Sequence, residues 1–370
     1  MQKINTLGVI MQTFLKACSL VAQPTGVWEK IIMAFNGGIS NYAAAVIVLT
    51  LCIKLIMLPL DFFNKLQTRK NSKIQAEMAP EMEQLKKKFG SNKQVLNAKT
   101  AELYKKHNFK VGRMFLFMIA NLGLTLFVFI TLFNGLNSMS RFKAAQQYED
   151  LQYAYISQLY QGEHNLEEEQ LYAYVNQIKE NPTQKEAAQK AVVQKYAQIK
   201  DSFLWIDNVW VADSPLAKNI MDWGGYLSWA GIDAKKVDDA DKAVYETVMS
   251  SLEGQKRENG YLVLPVLALG LVVLQQLISS KKIRFKKKPK NIEDETPKQK
   301  TNWIMIVILA ALYGYMTMCY NSVFSLYLVV SSLFSTLSSP FINYLADLIE
   351  KKRKEKIEKK NTVSYSRKKL

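Results

Sequence analysis

The chain of 370 residues has little of what builds metal centres and disulfide frameworks: three cysteines and two histidines. Cys18, Cys52 and Cys319 lie far apart in apolar runs without a CxxC spacing, and His107 and His164 are 57 positions apart. These spacings predict neither a metal site nor disulfides, and they disfavour histidine-based catalysis.

Two common catalytic signatures are also absent from the sequence. It contains no GxxxxGK[ST] motif and no HExxH motif. ATP-driven transport and zinc proteolysis therefore lack the residues that their chemistry needs. We predict a protein that is not an enzyme and that uses neither a metal nor a cofactor.

What the chain does contain is long apolar runs, the first of them at residues 42–62. About 20 helical residues cross a ~30 Å hydrocarbon core, so this run predicts a transmembrane helix. Lys54 lies past its midpoint, where a lysine costs roughly 2.5–3.5 kcal/mol. Either its amine snorkels to the basic end of the helix, about 15 Å away, or it faces a water-filled cavity. The cavity is favoured because a lysine stem covers only part of that distance.

The other apolar runs and the charges between them predict the topology. Spans are expected at 114–136, at 260–278 and, as a pair split near Asn321-Ser322, within 303–345. The net charge is +9 over 64–113, −6 over 137–258, +6 over 279–302 and +7 over 350–370. Because basic segments stay in the cytoplasm, five spans with the N-terminus outside and the C-terminus inside suit every segment.

These features predict an all-α polytopic membrane protein with five transmembrane helices, a cytoplasmic helical hairpin and an enlarged helical extracytoplasmic region. The divisions are an N-terminal extracytoplasmic or interfacial segment (1–41), the first span (42–62), the hairpin (63–113), the second span (114–136), the outer region (137–259), the third span (260–278), a basic loop (279–302), the fourth and fifth spans (303–345) and a basic tail (346–370). Whether residues 1–22 form a cleaved signal, an interfacial segment or a sixth span stays open.

Periodicity adds local detail. It predicts an interfacial helix around Trp28–Phe35, a helical hairpin that turns at 90–92 with a kink or restart at Pro80, and outer helices at 142–161, 166–180 and 183–201. The tyrosines near 153 and 172 are expected to pack on neighbouring helices. The aromatic and acidic segment 203–213 suits a membrane interface. The tail lacks apolar content and is expected to be unstructured.

Several motifs resemble the YidC/Oxa/Alb family of membrane protein insertases. They are the run 53–60 of the first span, Pro80-Glu81-Met82 with 85–89 and 103–106 in the hairpin, 203–206 with Asp213, Leu264-Pro265 with Gln275-Gln276, and Leu326-Tyr327 with 331–335. They occur in the family's order over residues 42 to 345. The family's usual groove residue is arginine, and Lys54 keeps that charge without its bidentate geometry.

The resemblance implies an insertase of a bacterial plasma membrane that moves hydrophobic segments from the cytoplasm into the bilayer through a hydrophilic groove, without nucleotide hydrolysis. The expected groove residues are Lys54, Asn121, Gln275, Gln276, Ser331 and Ser335. The expected hairpin residues are Pro80, Glu81, Leu85, Leu103 and Tyr104. A contact with ribosomal RNA or anionic lipids is expected at Lys351, Lys352, Arg353, Lys354, Arg367, Lys368 and Lys369.

The partners expected on this basis are nascent membrane proteins, the ribosome, a Sec-type translocon, anionic lipids and an unknown extracytoplasmic partner. Two alternatives stay open. A small-solute transporter would also place a cation in the bilayer, although such proteins usually contain repeated span pairs. A membrane assembly scaffold would act through its outer helical region.

Overall fold

The computed structural model describes residues 21, 23–39, 41–162, 166–279 and 303–367, with their side chains except those at 279, 305, 354 and 357–367. Within these ranges the chain is mostly helical and contains no β-strand, only two isolated bridges. The helices are α1 (Val27–Gly38), α2 (Tyr42–Phe89), α3 (Lys93–Lys106), α4 (Val111–Ile156), α5 (Glu168–Glu180), α6 (Pro182–Ile199), α7 (Trp223–Ala230), α8 (Asp239–Ser250), α9 (Val263–Ser279), α10 (Trp303–Cys319) and α11 (Ser322–Arg367).

In the part of the chain that the structure describes, three helices are long and apolar enough to cross a membrane: α2, α4 and, over Ser322–Arg353, α11. Two shorter apolar helices lie at Val263–Ile278 and Ile306–Cys319. The all-α class and the multi-pass apolar character are thus confirmed, whereas the count of five spans stays a prediction. The predicted break at Asn321-Ser322 is confirmed, because α10 ends at Cys319 and α11 begins at Ser322.

Several helices are longer than the sequence suggested. The first span and the first arm of the hairpin form one helix, α2, which continues through Pro59 and Pro80. The predicted restart at Pro80 is therefore wrong, and the alternative, a kink there, stays a prediction. A proline removes one backbone hydrogen bond, but an established helix adds residues on both sides without a new nucleation step.

The tail is also helical, which corrects the prediction that it is unstructured. Helix α11 runs from the last apolar segment to Arg367. The lysines and glutamates beyond residue 350 are good helix formers, and they extend a helix that the apolar segment has already nucleated. Lys368 and Lys369 lie outside the described residues.

The chain forms two compact units. The first comprises Met1–Leu49, Ile130–Ala268 and Leu312–Val329, and the second Thr50–Phe129, Leu269–Ala311 and Val330–Leu370. A core of the first unit joins the C-terminal part of α4 to α5 through α8. It is rich in tyrosine: the rings of Tyr148, Tyr226 and Tyr245 lie 4.6 to 5.3 Å apart.

The sequence predicted this helical outer region well. Tyr155 is fully buried in this core. Tyr153, Tyr172 and Tyr174 are partly buried and pack against the same core. The expected packing of tyrosines on neighbouring helices is thus confirmed. The predicted N-terminal helix is present as α1 and ends at Gly38. Ile32 is its buried residue.

Candidate functional site

Lys54 lies within the apolar part of α2 and is partly buried in the second unit. Its Nζ atom donates to Oγ of Ser335 on α11 at 3.4 Å, a long hydrogen bond. The Ser335 hydroxyl itself donates to the carbonyl oxygen of Ser331 at 2.9 Å. Two residues expected from the sequence, 281 positions apart, therefore meet in the structure.

Asn121 joins a different polar pair. Nδ2 of Asn64 on α2 donates to Oδ1 of Asn121 on α4 at 2.6 Å. Asn64 follows Lys54 by ten residues, or about 15 Å along a helix. The structure thus ties Asn121 to α2 through an amide that the sequence analysis did not single out.

Gln275 and Gln276 are partly exposed on α9, and neither makes a side-chain hydrogen bond within the described ranges. The predicted groove residues nevertheless share two properties. All of them belong to the second unit, and all of them are partly buried. They are Lys54, Asn121, Gln275, Gln276, Ser331 and Ser335.

The predicted hairpin is formed by the end of α2 and by α3. Met78, Leu103 and Phe109 are its buried core, and Leu85 and Tyr104 pack against them. Asn92 caps α3 by accepting from the backbone N–H of Val95. The hairpin therefore has a small core of its own, as the apolar stripes predicted.

A charged contact joins the two arms of this hairpin, α2 and the end of α3. The Glu81 carboxylate lies 2.7 Å from Nζ of Lys106 and 3.1 Å from Nε2 of His107. Hydrogen bonds from Lys106 and His107 lower the pKa of Glu81 below its usual range. Pro80, next to it, is exposed on α2.

Two ion pairs that the sequence did not reveal join α2 to the basic end of α11. Arg69 binds the Asp347 carboxylate at 2.7 Å and also donates to the Asn343 carbonyl and side-chain oxygens. Lys73 lies 2.8 Å from Glu350. Just beyond them Lys351, Lys352 and Arg353 are exposed on α11.

The segment 203–213 forms a bracket in the first unit, in which residues 206, 208–210 and 213 are buried, and its place at a membrane interface stays a prediction. Trp210 is 1% exposed and its ring contacts that of Tyr42 at 4.6 Å. The Asn259 side chain, fully buried, accepts from the Asn208 N–H and donates to the carbonyl oxygens of Asn208, Val211 and Ala212. Burial of these polar groups is tolerated because each is hydrogen-bonded.

This bracket holds the first turns of two apolar helices. The buried Asp213 carboxylate accepts from the backbone N–H groups of Tyr261 and of Leu264 in α9. At α11, the Ser322 N–H and hydroxyl both donate to the Val211 carbonyl oxygen. Residues that no motif in the sequence marked as partners thus fix where these helices begin.

Three carboxylates also come together in the outer region, where the sequence predicted no metal site. Glu168, Asp238 and Asp241 offer ligand atoms within 4.8 Å of one another. Asp238 and Asp241 form the capping box of α8, and the Tyr172 hydroxyl donates to Glu168 and to Asp241. These contacts give the carboxylates structural roles.

The structure contains long apolar helices that carry a lysine and amide side chains within their apolar segments. Some of these helices continue into basic segments. Together these features define a multi-pass helical membrane protein. The chain belongs to the YidC/Oxa1 family of the bacterial inner membrane: the family model described as 60Kd inner membrane protein matches residues 34–349.

Curated relatives match shorter stretches. The membrane protein insertase YidC of Fusobacterium nucleatum subsp. nucleatum is 39% identical over 69 residues, 19% of this chain and 32% of that protein. The membrane protein insertase YidC of Magnetococcus marinus is 37% identical over 78 residues, 21% of this chain and 13% of that protein. The membrane protein insertase YidC of Dinoroseobacter shibae is 43% identical over 68 residues, which are 18% of this chain and 11% of that protein. The match thus spans at most about a third of these relatives' length, and no solved structure matches the chain.

Proposed function

We propose that this protein is a membrane protein insertase that moves hydrophobic segments of newly made proteins from the cytoplasm into the bilayer without nucleotide hydrolysis. Membership of the family and the name of its relatives support this activity. The observation that supports the groove is the contact between Lys54 and Ser335, which joins a cation on α2 to the serines of α11.

The proposed topology has five spans, with the N-terminus outside and the C-terminus in the cytoplasm. The hairpin of α2 and α3, the loop 279–302 and the basic end of α11 then face the cytoplasm, and the acidic region 137–259 faces outwards. The charges of these segments support that orientation.

In the proposed mechanism a groove wetted from the cytoplasm shortens the distance that a substrate's polar end crosses without water. Lys54 holds acidic residues of that end transiently, through an attraction that strengthens in low-dielectric surroundings. The partly exposed amides and serines of the same unit line the path. The substrate's apolar helix then enters the lipid, driven by burial of apolar surface at roughly 25 cal/mol per Å².

The hairpin guides the incoming chain in this proposal, and the basic end of α11 contacts the ribosome or anionic lipids. Lys351, Lys352 and Arg353 are exposed there, which suits either partner. The proposed partners also include a Sec-type translocon and an extracytoplasmic protein. The Arg69 and Lys73 ion pairs would hold this basic helix beside α2.

The test is a depletion strain that expresses variants of this protein and a single-span substrate with an acidic N-terminal tail. Insertion is scored by protease protection of the tail. Lys54→Arg is expected to support insertion and Lys54→Ala to reduce it severalfold. Lys70→Ala, which removes an exposed lysine from the same helix, is the matched control and is expected to insert normally.

The outcomes separate the two parts of the proposal. Normal insertion without this protein would contradict the insertase function itself. Normal insertion by Lys54→Ala would remove the role of the cation while leaving the insertase function in place. A substrate with a neutral tail should depend on Lys54 less than the acidic one does.

A further inference from the structure

Asp61 is the one carboxylate that the sequence places within the five predicted spans. It lies on α2, seven residues after Lys54, and it is partly buried, as Lys54 is. Ionisable residues are rare in such segments and usually mark the path of a substrate or an ion. Asp61 has no part in the mechanism proposed above, so its position calls for an explanation.

The contacts of α2 with α11 indicate which face of α2 carries Asp61. Lys54 donates to Ser335 on α11 at 3.4 Å, and farther along α2 Arg69 binds Asp347 on α11 at 2.7 Å. Both contacts advance in the same direction along the two helices, so α2 and α11 run parallel here. Asp61 lies between the two contacts. Seven residues complete two helical turns to within about 20°, so Asp61 shares the face of Lys54, which is the face that contacts α11.

The Asp61 carboxylate acts on the charge of Lys54 without binding it. The two residues lie about 10 Å apart along the helix axis, and each interacts electrostatically with the other. Among the described residues the Asp61 carboxylate makes no hydrogen bond and no ion pair, whereas the Lys54 ammonium group donates to Ser335. The cation therefore has a carboxylate nearby and still has donors available to a ligand.

We propose that Asp61 is the resident counter-charge of Lys54 and that it limits how strongly the site prefers acidic polar ends of substrates. This inference rests on the insertase function proposed above. A substrate carboxylate that approaches Lys54 is attracted by the ammonium group and repelled by Asp61. In low-dielectric surroundings a charge two helical turns away still contributes to the binding free energy. The acidic end is therefore held less tightly than it would be by the lysine alone, which favours its release.

A purely structural role for Asp61 predicts a different result. If the carboxylate only kept α2 in place, its loss would impair every substrate in the same proportion. A counter-charge acts on the charge of the substrate, so its loss changes the acidic substrate relative to a neutral one. The ratio between two substrates therefore distinguishes the two roles.

The experiment uses the full-length protein in the depletion strain and two single-span substrates that differ only in the tail, which is acidic in one and neutral in the other. Initial rates of insertion are measured by pulse labelling and protease protection, and the quantity compared is the acidic-to-neutral ratio of these rates. Asp61→Asn is expected to raise the ratio about threefold or more, because the amide keeps the shape of the carboxylate without its charge. Lys54→Ala should lower the ratio.

Matched variants control for other effects of the substitution. Asp61→Glu keeps the charge and should leave the ratio near that of the wild type. Glu77→Gln removes an exposed carboxylate from the same helix and should not change the ratio. Asp61→Ala is a second neutral variant and should raise the ratio as Asp61→Asn does. Both substrates are expressed with the same variant, so the ratio does not depend on how much of that variant accumulates.

The outcomes separate this inference from the proposed function. If neither substrate depends on the protein, the insertase function is contradicted and the role of Asp61 with it. If both depend on the protein but Asp61→Asn leaves the ratio unchanged or lowers it, the counter-charge role alone is overturned. Failure of both neutral variants to accumulate, with normal accumulation of Asp61→Glu, would assign Asp61 a structural role and overturn the inference as well.

Discussion

Asp213 offers the sharpest test of how the bracket supports the apolar helices. Its carboxylate is fully buried and accepts from the backbone N–H groups of Tyr261 at 2.9 Å and Leu264 at 2.7 Å. Leu264 lies in the first turn of α9, where backbone N–H groups have no partner within the helix. Asp213 therefore caps α9 from a segment about 50 residues earlier in the chain.

Replacing Asp213 should destabilise the first unit in graded steps. Hydrogen bonds to a charged group contribute roughly 1.5–3 kcal/mol each, so losing two of them in Asp213→Ala should lower the free energy of unfolding by about 3–6 kcal/mol. Asp213→Asn keeps one acceptor oxygen and should lose about half as much. At about 2–4 °C per kcal/mol for a domain of this size, the alanine variant should melt about 10 °C lower.

Substitution of Gly260 provides a second, independent test of the same contact. A Cβ atom on Gly260 would lie 2.0 Å from Oδ1 of Asp213 and 3.0 Å from its Cγ. Gly260→Ala should therefore destabilise the wild type, since the carboxylate is held by its two hydrogen bonds and cannot move away. In the Asp213→Ala background both of these atoms are gone, and the cost should fall by at least about 1 kcal/mol.

Thermal unfolding in micelles, followed by tryptophan fluorescence, measures these changes. Most of the six tryptophans, namely Trp28, Trp205, Trp210, Trp223 and Trp229, belong to the first unit. The reasoning is refuted if Asp213→Ala melts within about 1 °C of the wild type, or if Gly260→Ala has the same effect in both backgrounds. Ser250→Ala, on the outer helix α8, serves as a control that leaves the bracket intact.

Three further predictions concern other groups. Tyr196→Phe should leave the melting temperature unchanged or raise it slightly, because the buried hydroxyl lost has no hydrogen-bond partner among the described residues; a marked drop would mean that the hydroxyl has a structural role. Burial and the neighbouring Asp150 raise the pKa of Glu149 to about 7, so stability should fall as the pH rises from 4.5 to 7, and Glu149→Gln should flatten the melting-temperature profile in that window. The pKa of Glu81 is lowered, so its contribution is present above pH 4.5 and is lost as the pH falls; the protection of hairpin amides against exchange, corrected for the intrinsic rate at each pH, should fall in acid for the wild type and much less for Glu81→Gln.

The helices of the outer region were predictable because their start and stop signals are local. Asn181 accepts from the N–H groups of Thr183 and Gln184 and caps α6, and Pro182 occupies its first position. Both signals stand in the sequence, and the predicted helix 183–201 agrees with Pro182–Ile199 to within two residues. The break between α10 and α11 was visible for the same reason, as a polar pair inside an apolar run.

The bracket could not be predicted, because its parts are distant in sequence. Asn259 reaches Asn208 across 51 positions. No spacing rule links such residues, and only the fold brings them together. The ion pairs of Arg69 and Lys73, with partners more than 270 positions away, were hidden in the same way.

The polar residues of the apolar helices fall into two kinds, and the distinction tells which of them can bind a substrate. Thr336 donates to the Ser332 carbonyl oxygen, and Ser325 donates to that of Asn321, both four residues back. A hydroxyl satisfied in this way by its own helix has used its one proton and can only accept, as Ser335 accepts from Lys54. Serines and threonines alone therefore do not mark a path for a polar chain.

Lys54 is of the other kind. An ammonium group has three donors and no acceptor, and no carbonyl oxygen of an intact helix is available to it in the way that one serves a serine. Within the described residues Ser335 supplies an acceptor at 3.4 Å, and the remaining donors require water or a substrate's acidic group. Asp61 on the same helix interacts with this charge without a hydrogen bond to it. Among the described residues the ammonium group thus keeps donors available, which is the property that a transient binding site for a passing chain needs.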